Sequence, residues 1–270
     1  MARTHERPRE TREDVPHVIP TGPVIGNLSP SRERQSNPPP YLVEVLGPAA
    51  SGKSTVTRSL RQHEPDWNIA DFIHTRTPEH LRYVFQSMPR LVPILGRGLA
   101  DRPRLTWREF KLLVYVTEWH RFLERKSELR HGITLLDQGP MYALVRLRAE
   151  AGGFTGAVSF TRWWDEMLER WTHRLGAIVY LDAADRVLWT RVNNRDQAHT
   201  TKGMSEAVGR EFLTRYRRLF EEVLERVGAS GAPEILRFDT GVMDAEPLAS
   251  QIRRILQARL SSQTQRAGSG

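Results

Sequence analysis

Eight consecutive residues have the types and spacing of a phosphate-binding loop. Glycine stands at the first and sixth positions and is followed by lysine and serine, which gives the pattern G-x-x-x-x-G-K-S. Glycines let consecutive backbone N–H groups turn toward one phosphate, and a following helix adds the positive end of its dipole. We therefore expect ATP to bind here. The predicted binding residues are Gly47, Pro48, Ala49, Ala50, Ser51, Gly52, Lys53, Ser54 and, next in the chain, Thr55.

Two side chains of this motif have separate predicted roles. Lys53 should reach the β- and γ-phosphates, and the hydroxyl of Ser54 should ligate Mg²⁺. Only four of the chain's 40 Lys and Arg residues are lysines. Because a compact ammonium and a planar guanidinium are not interchangeable at such a site, a lysine here favours a functional loop over a glycine-rich turn without function.

A carboxylate that ends a predicted strand is the candidate second metal ligand. The run Ile133–Asp137 is apolar up to its last residue, so a strand would deliver Asp137 beside the loop, where it could hold Mg²⁺ through water. Motor and transporter ATPases usually have a water-activating glutamate next, whereas this chain has Gln138. The alternative is an aspartate that only terminates a strand.

Four cationic residues are spaced by four, four and three positions. On one continuous helix they would project from one face, where like charges repel unless an anionic partner is bound. We expect this face to form a lid in which Arg191 and Arg195 stabilise charge on a transferring phosphoryl group. The alternative is a solvated basic surface. The four residues are Arg191, Arg195, His199 and Lys202.

Three further residues are candidates for binding an acceptor. Asp71 follows the second predicted strand and could act as a base toward an acceptor hydroxyl. Arg76, a few residues later, could hold an acceptor phosphate, although both residues could simply serve a strand end or a turn. Gln138, directly after Asp137, is the third candidate.

The elements needed to position these residues alternate along the chain. Short apolar runs, separated by helical patterns, predict five strands at Tyr41–Leu46, 68–73, Ile133–Asp137, Ala177–Asp182 and 235–239. Such alternation predicts an α/β fold, a P-loop NTPase with a doubly wound five-stranded parallel sheet, helices on both faces and a helical lid. Ligands of such sheets bind at the carboxyl ends of the strands, where three of the predicted strands end in aspartate.

The long segment between the second and third strands contains two different patterns. Residues 105–129 are strongly helical, whereas proline and glycine interrupt the run 88–103. The segment could bind the acceptor or could only pack against the domain.

Two other helices show apolar stripes at helical spacing. One comprises Val208, Phe212, Tyr216, Leu219 and Val223, and the other Trp164, Leu168, Trp171 and Leu175. Trp163 and Trp164 could stack on nucleic-acid bases, but such a stripe more often belongs to a core or interface.

Length and composition set the class of protein. The 270 residues have a net charge of +8 and no cysteine, which excludes disulfides and thiolate chemistry and fits a reducing, cytoplasmic setting. We predict disordered tails at 1–40 and 261–270 around one domain at 41–260. No apolar run is long enough to cross a membrane. Because the positive charge is spread along the sequence, nucleic-acid binding is not expected to be the main role.

With these motifs together, the chain resembles P-loop kinases of the thymidylate kinase and deoxynucleoside kinase group, from about residue 41 to 256. The phosphate-binding loop matches fully, Leu136-Asp137-Gln138-Gly139 resembles the strand end of thymidylate kinases, and Arg191 to Arg195 resembles the arginine-rich lid of both families. Those families have arginine where this chain has Gln138. The resemblance therefore implies the fold and the ATP donor, but not thymidylate as acceptor.

The sequence-based hypothesis is an ATP- and Mg²⁺-dependent kinase acting on a small-molecule acceptor, most simply a nucleoside or nucleotide. A kinase for another hydroxylated metabolite, such as a sugar or an antibiotic, and a nucleotide-binding regulatory ATPase are alternatives. A guanine-specific switch is not supported, because Thr201-Lys202-Gly203-Met204 lacks the aspartate of a base-reading motif. The chain could also pair as a homodimer.

Overall fold

Strands and helices alternate through the described part of the computed structural model, which covers residues 40–70, 78–101, 105–127, 132–149, 154–194 and 204–268. The strands are β1 (Tyr41–Leu46), β2 (Asn68–Ala70), β3 (Ile133–Asp137), β4 (Ala177–Asp182) and β5 (Glu234–Asp239). The helices are α1 (Lys53–His63), α2 (Pro78–Asp101), α3 (Trp107–Ser127), α4 (Pro140–Ala149), α5 (Val158–Thr172), α6 (Asp185–Asn193), α7 (Glu206–Gly228) and α8 (Ala245–Gly268).

The five strands form one sheet in the order β2-β3-β1-β4-β5, and every described pairing is parallel. β1 is central because it pairs with β3 on one side and β4 on the other. This arrangement confirms the predicted α/β, P-loop-type fold. The carboxyl ends of all five strands therefore meet at one edge of the sheet.

Helices cover both faces of the sheet, and the two faces have different cores. On one face, Val43 and Val45 of β1 pack with aliphatic residues of α1 and α8. On the other face, Leu42 and Leu46 pack into a larger core that includes residues of α3, α4, α5 and α7. The largest fully buried side chains of that second core are aromatic: Trp119, Phe154, Phe160, Trp164, Trp171, Tyr180 and Phe220.

The tryptophans of α5 belong to the core and not to a base-stacking platform. Trp163 and Trp164 are buried, and the indole N–H of Trp164 donates to the carbonyl of Leu144 at 3.0 Å. The indole N–H of Trp171 donates to Val116 at 3.1 Å. These hydrogen bonds satisfy polar atoms that burial would otherwise leave without water, so the core interpretation of the stripe is confirmed.

The buried face of α7 differs from the predicted stripe. Val208 is exposed, and of the predicted set only Val223 is buried. Near the start of the helix, Gly209 lies against the ring of Trp189 of α6, where a Cβ would come within 1.9 Å of a ring carbon, while Tyr216 and Leu219 are partly buried against the core. The fully covered face is instead formed by Gly209, Leu213, Phe220, Val223, Leu224 and Val227.

Helix α2 continues through two prolines that were expected to interrupt it. Pro89 and Pro93 lie inside the helix, and both are exposed. Proline removes a backbone donor and leaves a carbonyl one turn earlier without its partner, which water can satisfy on an exposed face.

The helical prediction for 105–129 is confirmed as α3 over Trp107–Ser127, while 128–131 lie outside the described residues.

The two predicted tails have different outcomes. Residues 1–39 lie outside the described part of the chain. At the other end α8 runs on to Gly268, whereas disorder was predicted from 261. The hydroxyl groups of Ser261, Ser262 and Thr264 donate to carbonyls four residues earlier in this helix, at 2.9 to 3.0 Å. None of the helices in the described ranges is long and apolar enough to span a bilayer.

Candidate active site

The predicted phosphate-binding loop joins the end of β1 to the start of α1. The chain turns at Gly47, whose φ is 148°, and at Gly52, whose φ is 90°. A Cβ at Gly47 would lie 2.0 Å from the carbonyl oxygen of Leu181. Only glycine therefore permits this approach of the loop to β4.

The first turn of α1 is open to an anion. Within the described residues no side chain caps this helix, and its first turn contains no acidic residue. The N–H groups at such a terminus point outward with the positive end of the helix dipole. A carboxylate cap would compete with a phosphate, so its absence from the described contacts leaves these N–H groups suited to a phosphate.

Lys53 lies across the loop. Its Nζ donates to the carbonyls of Gly47 and Pro48, both at 2.7 Å. The same ammonium lies 5.8 Å from the ring centre of Tyr142, at the start of α4. The lysine is therefore placed between the loop and α4, where its charge can face a phosphate.

Asp137 and Ser54 form the candidate magnesium site. In the β1–β3 ladder Asp137 is the partner of Val45, two residues before Gly47, so this carboxylate ends beside the loop. Ser54 lies in the first turn of α1 and is exposed. Hydroxyl and carboxylate oxygens are hard ligands, and protein-bound Mg²⁺ commonly takes one or two of them together with nucleotide phosphates. These residues fit such an ion.

The turn after β3 has an unusual backbone. Gln138 has a φ of 57°, a conformation that costs a non-glycine residue about 1–2 kcal/mol. Its carbonyl accepts a hydrogen bond from the hydroxyl of Tyr115 at 3.2 Å. Its side chain, predicted to contact the acceptor, is half-buried at the same sheet edge.

A buried acid that the sequence analysis did not single out lies beneath this turn. Glu44, on β1, is completely buried and accepts hydrogen bonds from the N–H groups of Met141 at 3.0 Å and Tyr142 at 2.8 Å. Burial raises the pKa of Glu44 to about 8, and the two backbone hydrogen bonds oppose that rise. A charged residue inside an otherwise apolar strand was the available signal.

A cavity of about 400 Å³ opens between the loop, the end of α6 and the segment after β5. Val56, Met243 and Leu248 make part of its wall apolar, and Thr55, Asn194 and Asp244 contribute polar groups. A flat heterocycle next to a phosphate site needs such a combination. Ala50, Gly52, Arg191, Thr240 and Ala245 complete the lining.

Arg191 borders this cavity and is anchored there. Its guanidinium donates to the hydroxyl of Thr240 at 2.9 Å and to the carbonyl of Thr240 at 2.7 Å. Thr240 in turn donates to the carbonyl of Asp182 through its N–H and its hydroxyl, at 2.8 and 3.0 Å. Helix α6 ends at Asn193, so the prediction of one continuous helix from Arg191 to Lys202 is wrong.

A second arginine ties α7 to the end of β4. Arg217 forms ion pairs with Asp182 at 2.9 Å and Asp185 at 2.6 Å, and also donates to the carbonyl of Ala183. Burial raises the pKa of Asp182, while the charge of Arg217 acts in the opposite direction. As predicted, β3, β4 and β5 all end in aspartate at the same sheet edge.

Several predicted site residues cannot be placed, because they lie outside the described residues. They are Asp71, Arg76, Arg195, His199 and Lys202. The structure therefore brings together the loop, Lys53, Ser54, Asp137 and the cavity beside Arg191, which are the predicted donor-side residues. On the acceptor side it describes Gln138 alone.

Comparison with known proteins finds resemblance only at the level of structure. No protein-family model matches the chain, and no curated protein matches it in sequence. Among solved structures, thymidylate kinase from Candida albicans aligns with a TM-score of 0.52 and 13% identity, covering 82% of this chain and 92% of that one.

Deoxyadenosine kinase from M. mycoides also aligns, in structures with bound dATP and with bound dCTP. The TM-scores are 0.49 and 0.46 at 14% and 13% identity, covering 80% of this chain and 99% of that one. At this level of sequence identity, a structural match shows a shared fold and not a shared function. The chain thus shares the fold seen in thymidylate kinase, a parallel α/β sheet with a phosphate-binding loop after its central strand.

Proposed function

We propose that this protein is a kinase that uses ATP and Mg²⁺ to phosphorylate a nucleoside or nucleotide. The observation that supports this best is the pairing of Val45 with Asp137. It puts a carboxylate directly beside a loop whose lysine and open helix terminus suit a triphosphate. A small-molecule acceptor is the expected partner.

The donor half uses residues of the loop and its neighbours. The backbone of 47–55 and the ammonium of Lys53 bind the β- and γ-phosphates, and the cavity beside Thr240 takes the base. Ser54 and Asp137 hold the metal ion, which when bound neutralises charge on the β- and γ-phosphates. Arg191 and Arg195 are proposed to stabilise the transferring group, with Arg191 reaching it from its position at Thr240.

The chemical step is a displacement at phosphorus. The acceptor hydroxyl oxygen forms a bond to the γ-phosphorus, the bond from that phosphorus to the β–γ bridging oxygen breaks, and ADP leaves. The hydroxyl proton passes to a base, for which Asp71 is the proposed residue. The protein contributes mainly by positioning and by stabilising charge, and Arg76 and Gln138 are proposed to orient the acceptor.

A second acceptor class is supported by one feature of the site. Gln138 stands where the resembling kinases have an arginine, so this position offers a neutral amide and not a cation. A neutral hydroxylated metabolite, such as a sugar or an antibiotic, would suit an amide better than a phosphorylated acceptor would. The expected cytoplasmic location, the homodimer and the minor importance of nucleic acid remain predictions.

The test is acceptor-dependent ADP formation with purified protein, ATP and Mg²⁺. Nucleosides, nucleoside monophosphates, sugars and aminoglycosides are supplied separately, and the phosphorylated product is identified by mass. Lys53→Ala should reduce turnover at least about 100-fold. Lys111→Ala, which removes a lysine of α3 outside the loop, should leave it unchanged.

Two outcomes contradict the proposal. One is ADP formation by the Lys53→Ala protein at the wild-type rate with any acceptor. The other is wild-type protein that binds ATP yet phosphorylates no nucleoside, nucleotide or other hydroxylated compound, which would favour a regulatory nucleotide-binding protein.

A further inference from the structure

We propose that Glu44 is a positioning residue that fixes the turn after β3, and with it Asp137, against the phosphate-binding loop; this rests on the function proposed above. The residue belongs to β1, three positions before Gly47. Its backbone pairs with Leu136, the neighbour of Asp137. It therefore lies between the two turns that form the candidate site.

The first step is the hydrogen-bond accounting at the start of α4. The first residue, Pro140, has no N–H group, and the N–H of Ala143 already donates to Gly139 at 3.0 Å. The two intervening groups are those of Met141 and Tyr142, and each donates to one oxygen of Glu44. One side chain from β1 thus satisfies both remaining N–H groups of the first turn, which would otherwise be left without an intrahelical partner.

The second step is the fit of the turn around this carboxylate. A Cβ at Gly139 would lie 2.4 Å from the carboxyl carbon of Glu44 and 2.7 Å from both of its oxygens. The backbone of the turn is therefore in direct contact with the acid. Tyr115 fixes the same turn from another side through the carbonyl of Gln138.

The third step is the cost of placing an acid here. Glu44 shares its face of β1 with Leu42 and Leu46, which belong to the aromatic core, and is itself completely buried. An apolar residue would avoid the desolvation of a carboxyl group. A buried acid is explained at this position because its oxygens accept hydrogen bonds from the backbone at the start of α4, which an apolar side chain could not do.

The consequence concerns both neighbours of the turn. Asp137, the proposed metal ligand, precedes Gln138, and Tyr142, whose N–H is held by Glu44, has its ring 5.8 Å from Lys53. A shift of this turn would therefore move the metal ligand relative to the loop without altering the loop itself. Glu44 acts through these residues and is not a catalytic residue.

The experiment compares wild type with Glu44→Gln above pH 8, where the carboxyl group is ionised and the substitution keeps the shape of the side chain but turns one acceptor into a donor. In amide NMR spectra, the N–H of Met141 or Tyr142 should exchange at least about tenfold faster, and the signals of 137–139 should shift. Leu42→Ala is the matched control, since it damages the same face of the same strand away from the turn, and its turn signals should stay in place.

A second readout separates positioning from general stability. ATP affinity is measured with and without Mg²⁺, and the ratio of the two dissociation constants reports the metal site. Glu44→Gln should reduce the effect of Mg²⁺ about tenfold while the affinity for ATP alone stays within about twofold. Leu42→Ala should change neither quantity. Gly139→Ala, which displaces the carboxylate from the other side, should reproduce the loss if Glu44→Gln fails to fold.

Either of two results overturns the proposal: unshifted signals for 137–139 in both Glu44→Gln and Gly139→Ala, or a wild-type Mg²⁺ effect in a folded variant whose turn has shifted. Asp137→Asn identifies a failure of the proposed function instead. If that variant keeps the wild-type Mg²⁺ effect, the metal assignment is wrong, and the NMR signals alone then decide whether Glu44 fixes the turn.

Discussion

Two turns at the same edge of the sheet are built in opposite ways. The turn after β1 is stabilised by near neighbours, since Lys53 bonds to carbonyls five and six residues away. The turn after β3 depends on distant residues, with Tyr115 separated by 23 positions from Gln138 and Glu44 by 97 from Met141. The first is a local motif, whereas the second forms only when separate elements meet.

The difference between the two turns indicates which of them should keep its geometry when residues elsewhere in the fold are changed. The loop should be less sensitive to packing elsewhere, because the two described hydrogen bonds of Lys53 stay within the segment. The turn after β3 should move whenever β1, α3 or α4 shifts. The following predictions, ordered from the largest expected effect, test that contrast.

The largest effect should come from Gly47→Ala. A Cβ at this position would meet the Leu181 carbonyl oxygen at 2.0 Å, and the φ of 148° disfavours any side chain. We expect ATP affinity, measured by calorimetry, to fall at least about 100-fold. Gly96→Ala is the matched control, because nothing lies within 4 Å of a Cβ there, and it should bind ATP normally.

The next effect is on the pH dependence of stability. The folded-state pKa of Glu44 is raised from 4.5 to about 8, so between these values the folded protein holds a proton that the unfolded chain releases. The free energy of unfolding should therefore fall as pH rises from about 4.5 to about 8, with a contribution of at most about 1.4 kcal/mol per pH unit.

Denaturant titrations of wild type and Glu44→Gln across this range isolate the contribution. The free energy of unfolding of wild type, relative to that of Glu44→Gln, should fall as pH rises through this window and stay constant outside it. A difference that stays constant from pH 5 to pH 8 would show that Glu44 is ionised in both states, and that the turn is held by a charged carboxylate throughout.

A smaller effect is expected for Tyr115→Phe. The substitution removes the hydrogen bond to the Gln138 carbonyl while keeping the buried ring, and should reduce the free energy of unfolding by about 1 kcal/mol. Turnover should fall several-fold with little change in ATP affinity, because the turn after β3 loosens and the loop does not. Equal loss of ATP affinity and turnover would remove the distinction between the two turns.

The smallest effect is expected for Thr240→Val, a change in the wall of the donor cavity. The variant loses the hydroxyl that joins Arg191 to the Asp182 carbonyl, but Arg191 keeps its bond to the Thr240 carbonyl. Because Arg191 is proposed to stabilise the transferring group, kcat should fall about threefold with KM for ATP nearly unchanged. A rise in KM alone would place Arg191 at the base in preference to the transferring group.

The same contrast explains how much could be predicted from the sequence. The loop, the five strands and the strand-end aspartates follow from local patterns, and the structure confirms the fold they predict. Glu44 could be recognised as unusual but not as the partner of α4, because the chain distance of 97 residues carries no local signal. The stripe predicted on α7 is partly confirmed by Tyr216, Leu219 and Val223, whereas the contact of Gly209 with Trp189 of α6 carries no local signal.

The predicted boundaries of two helices differ from the structure for a related reason. Propensity predicted a break at Pro89 and Pro93 and a tail from 261, yet α2 and α8 continue. In α2 the residues around the prolines pack on the core, since Val84, Met88, Leu91, Ile94 and Leu95 belong to or contact it, and tertiary packing of this kind overrides local propensity. The lid prediction assumed that a four-residue spacing implies one helix, whereas α6 ends at Asn193.

The packing of α8 against α1 has a consequence for the order in which the site can form. Val56 of α1 shares a core cluster with Leu248 and Ile252 of α8, and the donor cavity takes Met243 and Leu248 from this late segment. During synthesis the loop emerges almost 200 residues before its cavity wall. Since domains fold as units once their core is available, the proposed ATP site should form only after α8 has been synthesised, and ATP should protect from proteolysis only those chains that include α8.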